Sequence, residues 1–259
     1  MTAPGGARQK TTAPEDLLER LVHDRSPEAM ITAASHARLT EDLALALLNR
    51  RDLPAKAVEA LHKNGALAKH KKVRLAIVTH PRTPRHISIP IIRHLYPFEL
   101  MQVALFPAVA ADVKRMAEES IIGKLKMISS GERYTLAKQS SGRIAAALLL
   151  DPEERIMLAA LDNPQMTEMS IAKALRVQEG TELLVTAVCN HRNWRSRLEV
   201  RAALLINQHT PPARIVEVAA ELPASVIKEV LYSPQLQEKT KSYLKSVVDK
   251  RTAALRARA

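Results

Sequence analysis

From Pro14 onward the apolar residues fall in short stripes with helical spacing, each closed by polar or proline punctuation before the next begins. The segment EDLLERLV sets Leu17, Leu18, Leu21 and Val22 on one face. In SPEAMITAA, Ser26 stands at an N-cap, Pro27 at the first helical position and Glu28 beyond it, the residues that helix starts prefer. Thr40 then opens EDLALALLN, Pro54 opens AKAVEALHK, and a link at Asn64 and Gly65 leads into a helix through Val73 to Val78. Thr83, Pro97 and a break at Pro107 repeat that order. A longer helix is expected from Asp112 to Ile128, followed by one capped by Ser130 and another from Arg143 to Leu150. Beyond Asn163, Pro164 and Thr167 come a helix from Thr181 to Cys189, a link at residues 190 to 193, a helix opened by Trp194 and ending at Asn207, and then starts at Thr210 and Pro223.

The punctuation keeps a stride. Thr40 and Thr83 are 43 residues apart, Thr167 lies 84 further on, and Thr210 another 43. Pro54 and Pro97 keep the same step, with Ser140, the Glu179 to Thr181 turn and Pro223 continuing it. Self-similarity at this period implies stacked helical units. Segments such as IPIIRHLYPFELMQVALF are apolar over so much of their surface that a single pair of helices would leave it wet, so neighbouring units must cover both sides. The expected fold is all-α, a right-handed α-solenoid of about five units of three short helices each, about the repeat size of HEAT and armadillo arrays. It is expected to span residues 14–235, with a disordered lead-in over 1–13 and a basic amphipathic capping helix and tail over 236–259. In that last helix Leu236, Tyr243, Leu244, Val247, Val248 and Leu255 form the apolar stripe.

Composition sharpens this picture. Hydrophobic residues make up 46% of the 259 positions and aromatic ones 3%, so the core must be aliphatic. No run is long and apolar enough to cross a bilayer, and the start MTAPGGARQK has no signal-peptide core, from which a cytoplasmic location is expected. The single cysteine, Cys189, excludes an internal disulfide framework. A formal net charge of +12 favours an acidic partner: a nucleic acid, an acidic protein surface or anionic lipid headgroups. Part of that excess lies in the tail, where Lys239 to Arg258 is far more basic than acidic and reads equally as a solvated end.

Several residues carry a resemblance. Gly131-Glu132-Arg133 before Leu136-Ala137, Asn163-Pro164 with Thr167, Asn190 with Trp194, and the Asn207 to Pro211 turn resemble the GEK, NPxxT and NxxxW signatures of an uncharacterised bacterial group of HEAT/armadillo-like helical-repeat proteins. The match covers residues 115–240, and it departs from the group at His80-Pro81 and Gln208-His209. The resemblance implies a helical-repeat solenoid and brings no activity with it.

Candidate chemistry is sparse. The sequence carries no P-loop, no G-x-G-x-x-G after a strand, no H-E-x-x-H and no C-x-x-C, so no cofactor or metal is implied and no enzyme is expected. His62, His70, His80, His86 and His94 lack the three- or four-residue spacing of helical metal ligands and are read as surface or turn residues. The Thr row is read as helix caps rather than as hydroxyls aimed at a ligand. Asn163, Asn190 and Asn207 are read as helix-end residues, in left-handed backbone, bonded to free carbonyls or forming a polar ladder along one edge. Basic groups remain: Lys71, Lys72 and Arg74 in one acid-free run, Arg82 and Arg85 one unit later, and Arg192 and Arg195 beside Trp194, itself either a staple for the link or a binding anchor. The leading expectation is a non-catalytic scaffold that binds a partner protein with an acidic surface along its concave face. The alternative is a duplex nucleic-acid binder with these side chains on phosphates. Few aromatics argue against single strands, whose bases stack on rings.

Overall fold

A computed structural model describes residues 14–177 and 180–256, and the expected lead-in over residues 1–13 lies outside the described residues, as do part of the turn before Thr181 and the last three residues. The described chain is all-helical, and none of its helices is long and apolar enough to cross a membrane. Contacts separate it into two compact units, one ending at Ile121 and the other beginning at Ile122.

The first unit contains α1 (Pro14–His23), α2 (Pro27–Ser35), α3 (Glu41–Leu48), α4 (Ala55–Lys63), α5 (Lys71–Thr79), α6 (Arg85–Arg93), α7 (Pro97–Leu105) and most of α8 (Ala111–Lys124). Caps that the sequence announces are in place. Ser26 Oγ accepts the Ala29 N–H at 3.1 Å, and Thr40 Oγ1 accepts the Leu43 N–H at 3.4 Å. The helices alternate in two layers. α1 packs on α3, α3 on α5 and α5 on α7, while α2 packs on α4. Leu47, Leu61, Val73, Ile77, Ile92 and Leu100 fill the space between them.

The second unit contains α9 (Ser130–Gln139), α10 (Gly142–Ala147), α11 (Glu154–Leu161), α12 (Glu168–Leu175), α13 (Glu182–Asn190), α14 (Leu198–Ile206), α15 (Pro212–Glu221), α16 (Ala224–Leu231) and α17 (Glu238–Arg256). Here too helices pack on those two places earlier, α9 with α11, α10 with α12, α11 with α13, α12 with α14, α14 with α16 and α15 with α17, and α16 packs on its neighbour α17. Leu236, Leu244 and Val248 join the last core cluster with Leu205, Leu222 and Ile227, so α17 closes this end as its stripe indicates; the Leu255 side chain lies outside the described residues.

Packing therefore repeats every second helix, whereas the 42- to 43-residue stride spans three. Successive helices start at Glu41, Ala55, Lys71 and Arg85, advancing by 14, 16 and 14 residues. Two such steps and three such steps are both regular in sequence. The contacts between alternate helices follow the shorter one.

A shared turn carries the alternation. At the C-terminal ends of α2, α4, α5, α13 and α14 stand His36, Asn64, His80, His191 and Asn207, with φ between −76° and −71° and ψ between 101° and 131°. Asn163 plays the same part after α11. In each turn the side chain accepts the backbone N–H two residues on: His36 Nδ1 from Arg38, Asn64 Oδ1 from Ala66, His80 Nδ1 from Arg82, Asn163 Oδ1 from Gln165, His191 Nδ1 from Asn193 and Asn207 Oδ1 from His209. Five of these side chains turn their other nitrogen to the end of the helix two places back. Asn64 Nδ2 donates to His36 O at 3.2 Å, His80 Nε2 to Arg50 O at 3.0 Å, Asn163 Nδ2 to Ala137 O at 2.8 Å and Asn207 Nδ2 to Leu175 O at 2.5 Å. His191 Nε2 meets Asp162 Oδ1 at 3.1 Å. Arg50 bonds Val22 O at 2.7 Å, and Arg251, expected in the solvated basic tail, takes Leu222 O at 2.6 Å and Ala219 O at 2.8 Å. Helix ends leave carbonyls without intrahelical partners, and these donors satisfy them.

The turn explains four departures from the sequence reading. Thr83 and Thr210 do not cap the helices they precede. Pro84 and Pro211 occupy those N-cap positions, and the two hydroxyls point back, to Ile77 O and Leu204 O, each six residues earlier. Ser129, not Ser130, caps α9, in a capping box with Glu132. Trp194 lies within the turn, and α14 starts at Leu198. None of the helix-end asparagines is left-handed: among the described residues positive φ occurs at Gly180 alone.

Candidate functional site

The predicted basic residues in the first unit divide by what they touch. Lys71 and Lys72 lie exposed on the first turn of α5. Lys71 Nζ sits 4.7 Å from the centre of the Tyr96 ring, a cation–π contact between the starts of the neighbouring helices α5 and α7. Arg74 is half-buried, its Nε enclosed without a hydrogen-bond partner. Arg82 reaches Asp52 O at 3.5 Å, and Arg85 pairs with Asp112 at 3.0 Å. The acid-free run thus leaves Lys71 and Lys72 outward, and the exposed Arg82 and Arg85 each contact an oxygen of an aspartate, Asp52 and Asp112.

α7 carries the exposed rings of this unit. Tyr96 is 58% exposed, Phe106 is 45% exposed, and Phe98 and Leu105 also lie open. The Glu99 carboxylate accepts the Tyr96 N–H at 2.8 Å, fixing the backbone while the ring stays outside. Both phenylalanines of the chain are among these residues, and the described core contains no buried aromatic ring. Tyr232, in the second unit, is 88% exposed.

In the second unit, the end of α13, the turn after it, α14 and α15 enclose a cavity of about 270 Å³. Its floor is apolar: Cys189, Leu204 and Val218, all buried. Its rim holds Arg195, Arg201 and Arg214 with Glu217 and Glu221. Arg201 pairs with Glu221 and donates from Nε to Arg195 O at 3.0 Å. Arg214 bonds Glu217 at 2.7 Å and Asn190 Oδ1 at 3.4 Å. Arg195 is exposed and has no ion pair among the described residues. Trp194 beside it is anchored by Nε1 to Leu161 O at 2.9 Å, with its ring tilted against His191, so it staples the turn to α11. Arg192 is exposed beyond this staple. Burial pushes the Cys189 thiol above its ordinary value, Arg214 pulls it down, and Glu217 adds to the rise. The thiol is therefore protonated at neutral pH and is no activated nucleophile.

Sequence reasoning reached Arg195 but missed Arg214, Glu217 and Glu221. Their spacing of three and four residues places them on one face of α15, which was the available signal. No group of three or more His, Cys, Asp or Glu side chains able to hold a metal ion occurs among the described residues. No family model matches the chain, and neither the curated proteins nor the solved structures yielded a match.

Proposed function

We propose that the protein is a non-catalytic scaffold that binds a partner protein, built as a HEAT/armadillo-like right-handed α-solenoid with the partner on its concave helices. The observation that carries this reading is the placement of its rings. A chain with 3% aromatic residues that leaves both phenylalanines, Tyr96, Tyr134 and Tyr232 in water forgoes the apolar burial they would contribute to its own core. Aromatic side chains are the commonest anchors of protein interfaces, and their exposure is accounted for by a partner that covers them. The stacking of helices on those two places earlier supports the repeat array. Duplex nucleic acid is the second reading, favoured by the net charge of +12 and by the outward Lys71, Lys72 and Arg192. It ranks lower because Arg85, Arg201 and Arg214 are already neutralised by carboxylates.

The test compares the immobilised full-length protein with its Tyr96→Ser/Phe98→Ser variant, using crosslinked capture from extract of the native cell and retention of a DNA duplex at low salt. The expected result is a captured protein that survives nuclease treatment and is lost from the variant. Steeply salt-dependent duplex retention that ignores the rings, with no ring-dependent protein captured, overturns the reading in favour of nucleic acid.

A further inference from the structure

We infer that the α14–α15 cavity receives an acidic side chain of a protein partner, its carboxylate on Arg195 and its methylene stem on Leu204, Val218 and Cys189. This assignment rests on the partner-binding reading and names the chemistry of one contact.

Charge selects the occupant. Three guanidinium groups face two carboxylates, leaving one positive charge in the cavity. Arg201 and Arg214 are committed to Glu221, Glu217, Asn190 and the Arg195 carbonyl, which holds the rim in shape before anything binds. The remaining charge is Arg195, whose guanidinium has no carboxylate of its own among the described residues. A monoanion balances it. A phosphate carries about two negative charges near neutral pH and meets Glu217 and Glu221 at the same rim, where like charges repel. A cation meets three arginines. Leu204, Val218 and Cys189 are already buried, so the charge on Arg195 selects the occupant and the floor offers its stem an apolar lining that no polar group contests. A volume of about 270 Å³ has room for a side chain of that kind.

Two residues make the cavity measurable in the full-length chain. Cys189 is the single cysteine and lines the floor, and Trp194 is the single tryptophan and adjoins Arg195. The experiment follows alkylation of Cys189 and the emission of Trp194 as poly-L-glutamate is added, with inorganic phosphate and a DNA duplex as the other probes. Poly-L-glutamate is expected to slow alkylation and shift the emission at a concentration where phosphate and duplex do neither. Arg195→Gln, which removes an exposed side chain and leaves the Arg195 carbonyl bond intact, is expected to weaken this protection about fivefold. Arg192→Gln is expected to leave it unchanged. Glu217→Gln frees Arg214 from a competing carboxylate and is expected to strengthen it, a gain that a merely structural role does not produce.

Protection by duplex or by phosphate equal to that by poly-L-glutamate overturns the assignment, as does protection indifferent to Arg195, or none at all. The partner-binding reading is judged separately, by ring-dependent capture. Capture that persists when poly-L-glutamate fails to protect Cys189 leaves that reading standing and removes this one.

Discussion

The imidazole Nε2 of His80 lies 3.0 Å from the carbonyl oxygen of Arg50, thirty residues earlier in sequence and two helices back in the fold. Its other nitrogen accepts the N–H of Arg82, a group that can only donate. The proton must therefore reside on Nε2, and the neutral ring does what Asn207 does with an amide.

Replacing His80 separates shape from bonding. His80→Ala leaves a buried carbonyl and a turn N–H without their partner and is expected to destabilise the first unit by about 1–3 kcal/mol. His80→Asn restores both bond types and is expected to recover at least half of that loss. Urea unfolding of the two variants reads the difference, and nitrogen NMR of the native ring should report the Nε2–H tautomer. Equal losses for Ala and Asn would mean that the ring acts by packing alone.

Asn207 is buried and bonds Leu175 O, Thr181 Oγ1 and the His209 N–H, whereas Asn190 offers one long contact to Arg214. Asn207→Ala is expected to cost about 2–3 kcal/mol, and Asn190→Ala less than about 0.5 kcal/mol. The two midpoints in urea check it; comparable shifts would show that the ladder bonds carry no special weight.

Gly142 opens α10 against the turn that precedes α12. A Cβ built there meets the Gln165 carbonyl oxygen at 2.1 Å, and the obstacle is backbone. Gly142→Ala is expected to destabilise the second unit by about 1–3 kcal/mol despite the better helix propensity of alanine. Gly131→Ala, where nothing lies within 4 Å, serves as the control and should be neutral or stabilising.

Acid should weaken the second unit through Glu153. A hydrogen bond from Ser130 at 2.7 Å holds its carboxyl below the ordinary value of 4.5, burial opposes this, and Arg155 and Arg133 add to the depression. A depressed carboxyl gives stability that is complete above the unfolded value and is lost as pH falls through the folded one. Thermal midpoints should hold steady from pH 7 down to the ordinary carboxylate range and fall below it, less steeply in Ser130→Ala. An unchanged slope in that variant would assign the acid response to other carboxylates.

Particular residues mark the reach of the sequence. Thr40 and Thr167 are caps as their position before an apolar stripe indicates, with Thr167 Oγ1 accepting the Ser170 N–H at 3.2 Å. Thr83 and Thr210 share their stride but sit one residue earlier relative to the His80 and Asn207 turns, and a following proline pushes them out of the cap. Arg251 reads as one more tail cation and instead closes the end of α15. Arg214 pairs with Glu217 and also lines a cavity with Arg195, nineteen residues earlier on another segment.

Most of the helices were determined by the sequence alone, because caps, prolines and apolar spacing act through N–H and C=O groups a few residues away, while the starts read at Thr83, Thr210, Ser130 and Trp194 moved by one to four residues. Which helix lies against which was decided in three dimensions. A step of two helices and a step of three both fit the spacing of the punctuation, and the choice falls to bonds such as Asn64 to His36, Asn163 to Ala137 and Trp194 to Leu161, spanning 26 to 33 residues. A carbonyl stranded at one helix end and a donor nitrogen at another leave no mark on each other's local sequence, and burial of the aliphatic faces brings them within reach.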